Sequence, residues 1–349
     1  MNNKRHKNTA FTLIELMVAM GILVVILSFA GVIFKVSINS HRTAIANAEI
    51  MQKLRAITSQ LDADFKGLNK DGEIFVVWKA AQLQSADYKD NDLDGYERFD
   101  RIMFFADGDF QSYGINPMVR GNTARICYML ARDSSHRPEG QKRADRVLAR
   151  TQHILTSDTS LTDFLNPASF SNAQWLEWNN RYEYDRTSLE AWKMIPVENK
   201  QDMLSVIADV KVLQSTISED IRGAIVEPSD ANSIHMLLCQ GVSEFKIQGW
   251  SDTQKRWFPE VDPDGDGNLT DTPFYLNEPN NVPGVWYPYP PNGRVIINNL
   301  NYPREQIDRI HFNNIPGLGR ALKFTFTLFD SRGIIKDGMT FTHIVYLDE

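Results

Sequence analysis

From Leu16 to Phe34 no side chain is charged, while Lys4, Arg5 and Lys7 crowd the short polar segment ahead of that run. As a helix the run is roughly 28 Å long, about the thickness of a bilayer's hydrocarbon core. It is therefore predicted to span a membrane over residues 16–34, with the basic leader on the cytoplasmic side. Beyond it, Ile38, Ile45, Ile50, Leu54, Ile57, Leu61 and Phe65 recur mostly at three- and four-residue steps or their sums, with Lys53, Arg55, Asp62 and Asp64 mainly between them. This spacing predicts that the helix continues over residues 35–66 with one apolar face on a folded domain. Gly67, Asn69, Asp71 and Gly72 supply its stop.

The pattern then changes to runs rich in β-branched and aromatic residues. Strands are predicted at 73–79, 101–105, 124–131, 147–155, 234–238, 242–249 and 321–329. The last of these and the closing MTFTHIVYLDE flank Ser331, Arg332 and Gly333 and read as a hairpin with one buried face. Between about 133 and 220 the pattern weakens into polar, Trp-containing sequence, with helices predicted near 160–164, 172–178 and 188–194. That span is expected to be an insertion. The predicted fold class is α+β: a long N-terminal helix packed on an antiparallel sheet domain that covers residues 67–349.

Where the polar leader meets the apolar run carries the functional signal. An ordinary signal peptide has its small-residue cleavage site after the apolar run, whereas here the polar-to-apolar switch lies before it, between Ala10 and Phe11. Cutting there leaves the hydrophobic helix on the mature chain. Phe11, Thr12, Leu13, Ile14 and Glu15, placed behind that leader, resemble the junction of type IV prepilins and pseudopilins. The resemblance implies a leader of residues 1–10, cleavage before Phe11 by a dedicated inner-membrane peptidase, methylation of the new Phe11 amine, and packing of the helix into a filament. The family usually has Gly before the cut, where this chain has Ala10, so slower processing is expected.

Glu15 is the one charge at the head of the span, and an unpaired carboxylate there costs several kcal/mol. The resemblance supplies a partner, the freed α-amine of Phe11, in the same subunit or a neighbour. More diffusely, MLLCQGVSEFKIQGW and LKFTFTLFDSRG look like the later strands of large minor pseudopilins, of the J type in type II secretion or the W-like type in type IV pili. The implied function is that of a filament-assembly component, at the tip, supporting protein secretion. The implied partners are other minor and major pseudopilins, the prepilin peptidase, an inner-membrane assembly platform and secreted cargo. The implied location is the inner membrane, single-pass, with the sheet domain in the periplasm. The alternative is a minor pilin acting as an adhesin or ligand-binding tip subunit.

Net charge is -7 over 349 residues and -10 without the leader's three cations, which disfavours nucleic acid as a partner. The acidity is partly organised. Asp90, Asp92 and Asp94 precede Gly95, and Asp262, Asp264 and Asp266 precede Gly267. Alternate carboxylates before a turn-forming Gly suit Ca²⁺, with Asn268 and Thr270 as further oxygen donors in the second loop. Neither loop has Glu at its twelfth position, where Arg101 and Pro273 stand, so Asp100 or Glu97 and Asp271 are the candidates to complete them.

Cys127 and Cys239 are the only cysteines; they could bridge in an oxidising compartment or stay as buried thiols. The seven histidines are scattered, and no H-E-x-x-H, G-x-S-x-G or P-loop occurs, so no enzyme is expected. Trp250, Trp257, Tyr275, Trp286, Tyr287 and Tyr289 could form a binding surface or pack a long loop on its own sheet.

Overall fold

The computed structural model describes residues 12–69, 74–77, 80–82, 96–113, 118–133, 138–158, 183–185, 188–194, 224–230, 233–251, 255–258 and 320–347. Its first element, α1, is a single helix of 54 residues, Leu13–Lys66. Every residue from Thr12 to Ile45 is exposed, and burial begins at Ala46. Ile50, Ile57, Leu61 and Phe65 are buried as their spacing predicts, with Leu54 partly so. Ile38 and Ile45 are exposed instead, because the domain covers the helix only from Ala46 onward.

The helix stops where backbone meets backbone. Gly67 caps α1, the Leu68 N–H donates to the Phe65 carbonyl at 3.1 Å, and Leu68 bridges to Ala106 in the neighbouring strand. A side chain at Gly67 would run into the carbonyl oxygen of Asp107, so only glycine fits this approach.

Behind it stand two antiparallel sheets. The first is built from β1 (Phe75–Val77), β4 (Arg101–Gln111), β5 (Arg120–Ala131), β6 (Val147–Leu155), β7 (Tyr184–Asp185) and β8 (Leu237–Gln240), in the order β1-β4-β5-β6-β7, with β8 also pairing β6. Among the described strands of this sheet only the two-residue β7 runs parallel to its neighbour. The second sheet has the order β10-β9-β11-β12, from β9 (Val242–Ser251), β10 (Arg256–Phe258), β11 (Ala321–Leu328) and β12 (Met339–Tyr346). A short ribbon pairs β2 (Ala80–Gln82) with β3 (Tyr96–Arg98). The β11–β12 hairpin forms around Ser331 to Gly333 as its sequence predicts, with Thr325 opposite Thr342 and Thr327 opposite Thr340. Residues 234–236, expected as the start of a strand, form a 3₁₀ turn before β8.

One residue joins the sheets. The chain leaves β8 at Gln240 and enters β9 at Val242, turning at Gly241 with φ of 79°. That left-handed conformation favours glycine. Nearby, the Asp100 N–H donates to the Phe245 carbonyl at 2.8 Å, tying the start of β4 to β9. Phe65 of α1 fills the space between the sheets, stacked on Phe104 at 4.3 Å between centroids and tilted against Phe324 at 5.7 Å.

Val147–Leu155 lies inside the span expected as an insertion, yet it is an interior strand of the first sheet, paired along its length with β5. A second helix, α2 (Leu189–Met194), occupies the region predicted at 188–194. Its Trp192 is fully buried against Phe105, 5.6 Å away, under the guanidinium of Arg125. Phe104 and Phe105 alternate across the strand, so Trp192 covers the face opposite α1. This part of the 133–220 span therefore completes the core. The two helices predicted earlier in it lie outside the described residues.

Candidate functional site

The head of α1 is a reciprocal cap. Thr12 is extended at ψ of 152°, and its hydroxyl oxygen accepts the Glu15 N–H at 3.3 Å. Glu15 reaches back: one carboxylate oxygen accepts the Thr12 N–H and the Thr12 hydroxyl, each at 2.9 Å. This arrangement satisfies donors that a helix start otherwise leaves open, and it places a negative charge at the positive end of the helix dipole. Glu15 is thus partnered within its own first turn before any amine is created at Phe11. Sequence reasoning passed over Thr12, although T-x-x-E directly ahead of an apolar run is a helix-start signature. Ala10 and Phe11 lie outside the described residues.

The other end of α1 is pinned to the sheets by ionic contacts. Asp64, only 5% exposed, takes two hydrogen bonds from Arg150, at 2.6 and 2.7 Å, and one each from Gln60 and the Tyr128 hydroxyl. A bidentate Arg and carboxylate pair is among the stronger charge-assisted contacts. Burial, then the adjacent Asp64 carboxylate, pushes the Tyr128 phenol well above its ordinary range. Burial alone would lower Arg150, but its bonds to Asp64 hold it above its usual value.

Three further contacts reach the second sheet. Asp62 meets the His343 ring at 2.7 Å, Lys53 donates to the Phe329 carbonyl at 2.7 Å, and Glu49 accepts the Ser331 N–H at 2.8 Å and its hydroxyl at 3.0 Å. Burial opposes ionisation of Glu49, but Lys53 and Ser331 outweigh it and hold that carboxyl below its usual range. In the same turn Asp330 accepts the N–H groups of Arg332, Ile334 and Ile335, which lower it against the opposing effect of burial.

Of the proposed calcium ligands, Asp90, Asp92, Asp94, Asp262, Asp264, Asp266, Asn268, Thr270 and Asp271 lie outside the described residues. Asp100 does not fit the role expected of it. It is fully buried, ion-paired with Arg98 and accepting the Ile247 N–H at 2.8 Å, so its carboxylate braces β4 against β9. The i, i+2 placement of Arg98 and Asp100 at the end of one strand and the start of the next puts both at this junction.

Cys127 and Cys239 are both buried free thiols. Cys127 faces Thr151 and Cys239 faces Leu148, on opposite sides of β6. Two interstrand spacings of about 4.8 Å each separate them laterally, beyond the reach of a disulfide. Burial pushes Cys127 up to about 12 and Cys239 up to about 11. Of the aromatic group, Trp250 and Trp257 meet edge to face at 5.3 Å on the β9–β10 pair, with the Lys323 ammonium 4.8 Å from the Trp257 ring centre. The remaining four lie outside the described residues.

Residues 5–31 match the family model described as the prokaryotic N-terminal methylation motif. No curated protein and no solved structure matches the chain. The matched stretch takes in the second half of the basic leader from Arg5, the Phe11 to Glu15 junction and most of the apolar run. It heads a helix long and apolar enough to cross a membrane. The motif, the membrane-capable helix and the antiparallel sheets that close on its far end together support a type IV prepilin-like protein.

Proposed function

We propose that this chain is a minor pseudopilin: a subunit held in the inner membrane by residues 16–34, with its sheet domain in the periplasm, that is drawn into a short filament serving protein secretion. The observation that carries this reading is the methylation motif at residues 5–31 heading an α1 that stays exposed from its start through Ile45. An apolar helical surface of that length needs a lipid or protein environment. The membrane supplies one before assembly and neighbouring helices supply the other afterwards.

Glu15 would act at the handover. Once the leader is cut, the α-amine of Phe11 offers the carboxylate a cation in place of, or beside, its bonds to Thr12. The bulk of the domain, residues 67–349, suits a terminal position, where no further subunit has to stack above it. Other pseudopilins, the prepilin peptidase and a membrane assembly platform would be its partners. The two Asp-rich loops would bind Ca²⁺ through Asp90, Asp92 and Asp94 and through Asp262, Asp264 and Asp266.

Coexpression with a prepilin peptidase, followed by intact-mass and N-terminal analysis, tests the reading. The expected product begins at Phe11 and carries one methyl group on its amine. A chain that still begins at Met1 in the presence of active peptidase would refute it.

A further inference from the structure

The stretch between Glu15 and Glu49 contains no carboxylate, and its only ionisable side chains are Lys35, His41 and Arg42. All three are exposed. Lys35 and Arg42 are seven residues apart on one continuous helix, so they point along the same face about 10 Å apart. Lys35 follows Phe34, the last residue of the uncharged run, and stands about 30 Å along the axis from Glu15. That distance matches the hydrocarbon core, so with Glu15 at one headgroup layer Lys35 lies at the other. The domain first covers α1 at Ala46, one turn beyond Arg42.

We propose that Lys35 and Arg42, with His41 beside them, form a cationic collar that binds the phosphates of anionic lipids in the leaflet opposite the leader. The inference rests on the membrane-anchored reading above. Depth, sign of charge and exposure all favour lipid phosphate. Long basic side chains at the end of a span extend to the headgroups while their stems stay along apolar surface, and anionic headgroups attract them electrostatically.

The collar changes the meaning of leader removal. In the full chain Lys4, Arg5 and Lys7 hold the cytoplasmic end and the collar holds the other. After a cut at Ala10 the only side-chain cations flanking the span are Lys35 and Arg42. Side-chain electrostatic anchoring of the processed subunit thereby passes to the far leaflet, and the collar's contacts are among those that filament assembly has to break.

The test uses the full chain, processed by peptidase and reconstituted in bilayer nanodiscs, with a polarity-sensitive fluorophore on a cysteine placed at Ile38 (I38C). The buried Cys127 and Cys239 stay unlabelled in the folded chain. Quenching by neutral acrylamide is compared in phosphatidylcholine alone and with phosphatidylglycerol added. The expected result is severalfold weaker quenching with phosphatidylglycerol, reversed by high salt and absent in K35Q/R42Q. Equal quenching in the two lipids, or the same protection in K35Q/R42Q, overturns the collar. Protection that follows protein density rather than lipid charge also overturns it, in favour of carboxylates on a neighbouring copy. A chain that an alkaline carbonate wash releases from membranes is not anchored at all, and that outcome overturns the membrane reading together with the collar.

Discussion

Glu15 has two jobs that one substitution can separate. As the acceptor for Thr12 it starts the helix, and as a charge it is available to the Phe11 amine. Glu15→Gln keeps an oxygen able to complete a capping box but removes the charge. The expected outcome is unchanged helicity and membrane insertion, read by circular dichroism and carbonate extraction, with loss of recovery in a sheared filament fraction. Thr12→Ala should do the reverse and fray the first turn while leaving the charge. At Cys127 and Cys239, burial and raised thiol values predict silence towards a thiol reagent at neutral pH until the chain is denatured, when two equivalents react. A bridged pair would give none even then. The Thr12 cap was legible in four letters of sequence, whereas the pairing of Asp100 with Arg98 was not. In a row of aspartates Asp100 reads as one more ligand, and only the meeting of β4 with β9 turns it inward.

The contact between α1 and β6 sets the rotation of the helix on the first sheet. Asp64→Ala leaves the Arg150 guanidinium largely buried without its carboxylate, a loss of about 3–5 kcal/mol. A clear fall in the denaturation midpoint of the full chain in detergent is expected. Tyr128 adds a pH dependence. Its folded-state value is raised, so the stabilisation is complete below the ordinary phenol value near 10 and is lost as pH climbs through the higher folded value. In alkaline unfolding series Tyr128→Phe should therefore flatten the decline above about pH 10 relative to the parent chain. At the strand switch, Gly241→Ala forces a left-handed φ on alanine, costing about 1–2 kcal/mol. It also brings a methyl group to 3.0 Å from the Phe329 carbonyl oxygen. Element boundaries were readable where local signals were strong: the end of α1 at Lys66 follows from the stop residues Gly67 to Gly72, and the whole of β6 from its strand-like composition. The role of β6 did not follow. Polar sequence on both sides of it looks like an excursion, but strand pairing across the sheet is a long-range matter that a local pattern does not report.

On the scale of the whole molecule, α1 divides the chain into a half that needs an environment and a half that has one. The proposed calcium loops belong to this scale, since a cation there would brace long connections of the domain. Titration calorimetry should show modest-affinity Ca²⁺ binding that Asp262→Asn with Asp264→Asn abolishes for one site, and chelation should lower the unfolding temperature. Absence of any heat would remove calcium from the account. The membrane-capable helix and the antiparallel β-rich domain behind it were both legible, because hydropathy runs and β-rich segments are strong, local signals. The division of strands between two sheets was hidden in a single glycine.

That burial starts at Ala46 has a practical corollary for anyone trimming the protein. A chain begun anywhere between Ser37 and Ile45 sheds the membrane-seeking surface yet keeps Ile50, Ile57, Leu61, Asp64 and Phe65 in place, and should behave as a soluble, cooperatively folding monomer. One begun at Gly67 loses the ring that stacks on Phe104 and the carboxylate that meets Arg150, and should come out of the cell as aggregate. Roughly the last six turns of α1, from Ala46 to Lys66, are in effect an internal strap on which the two sheets close.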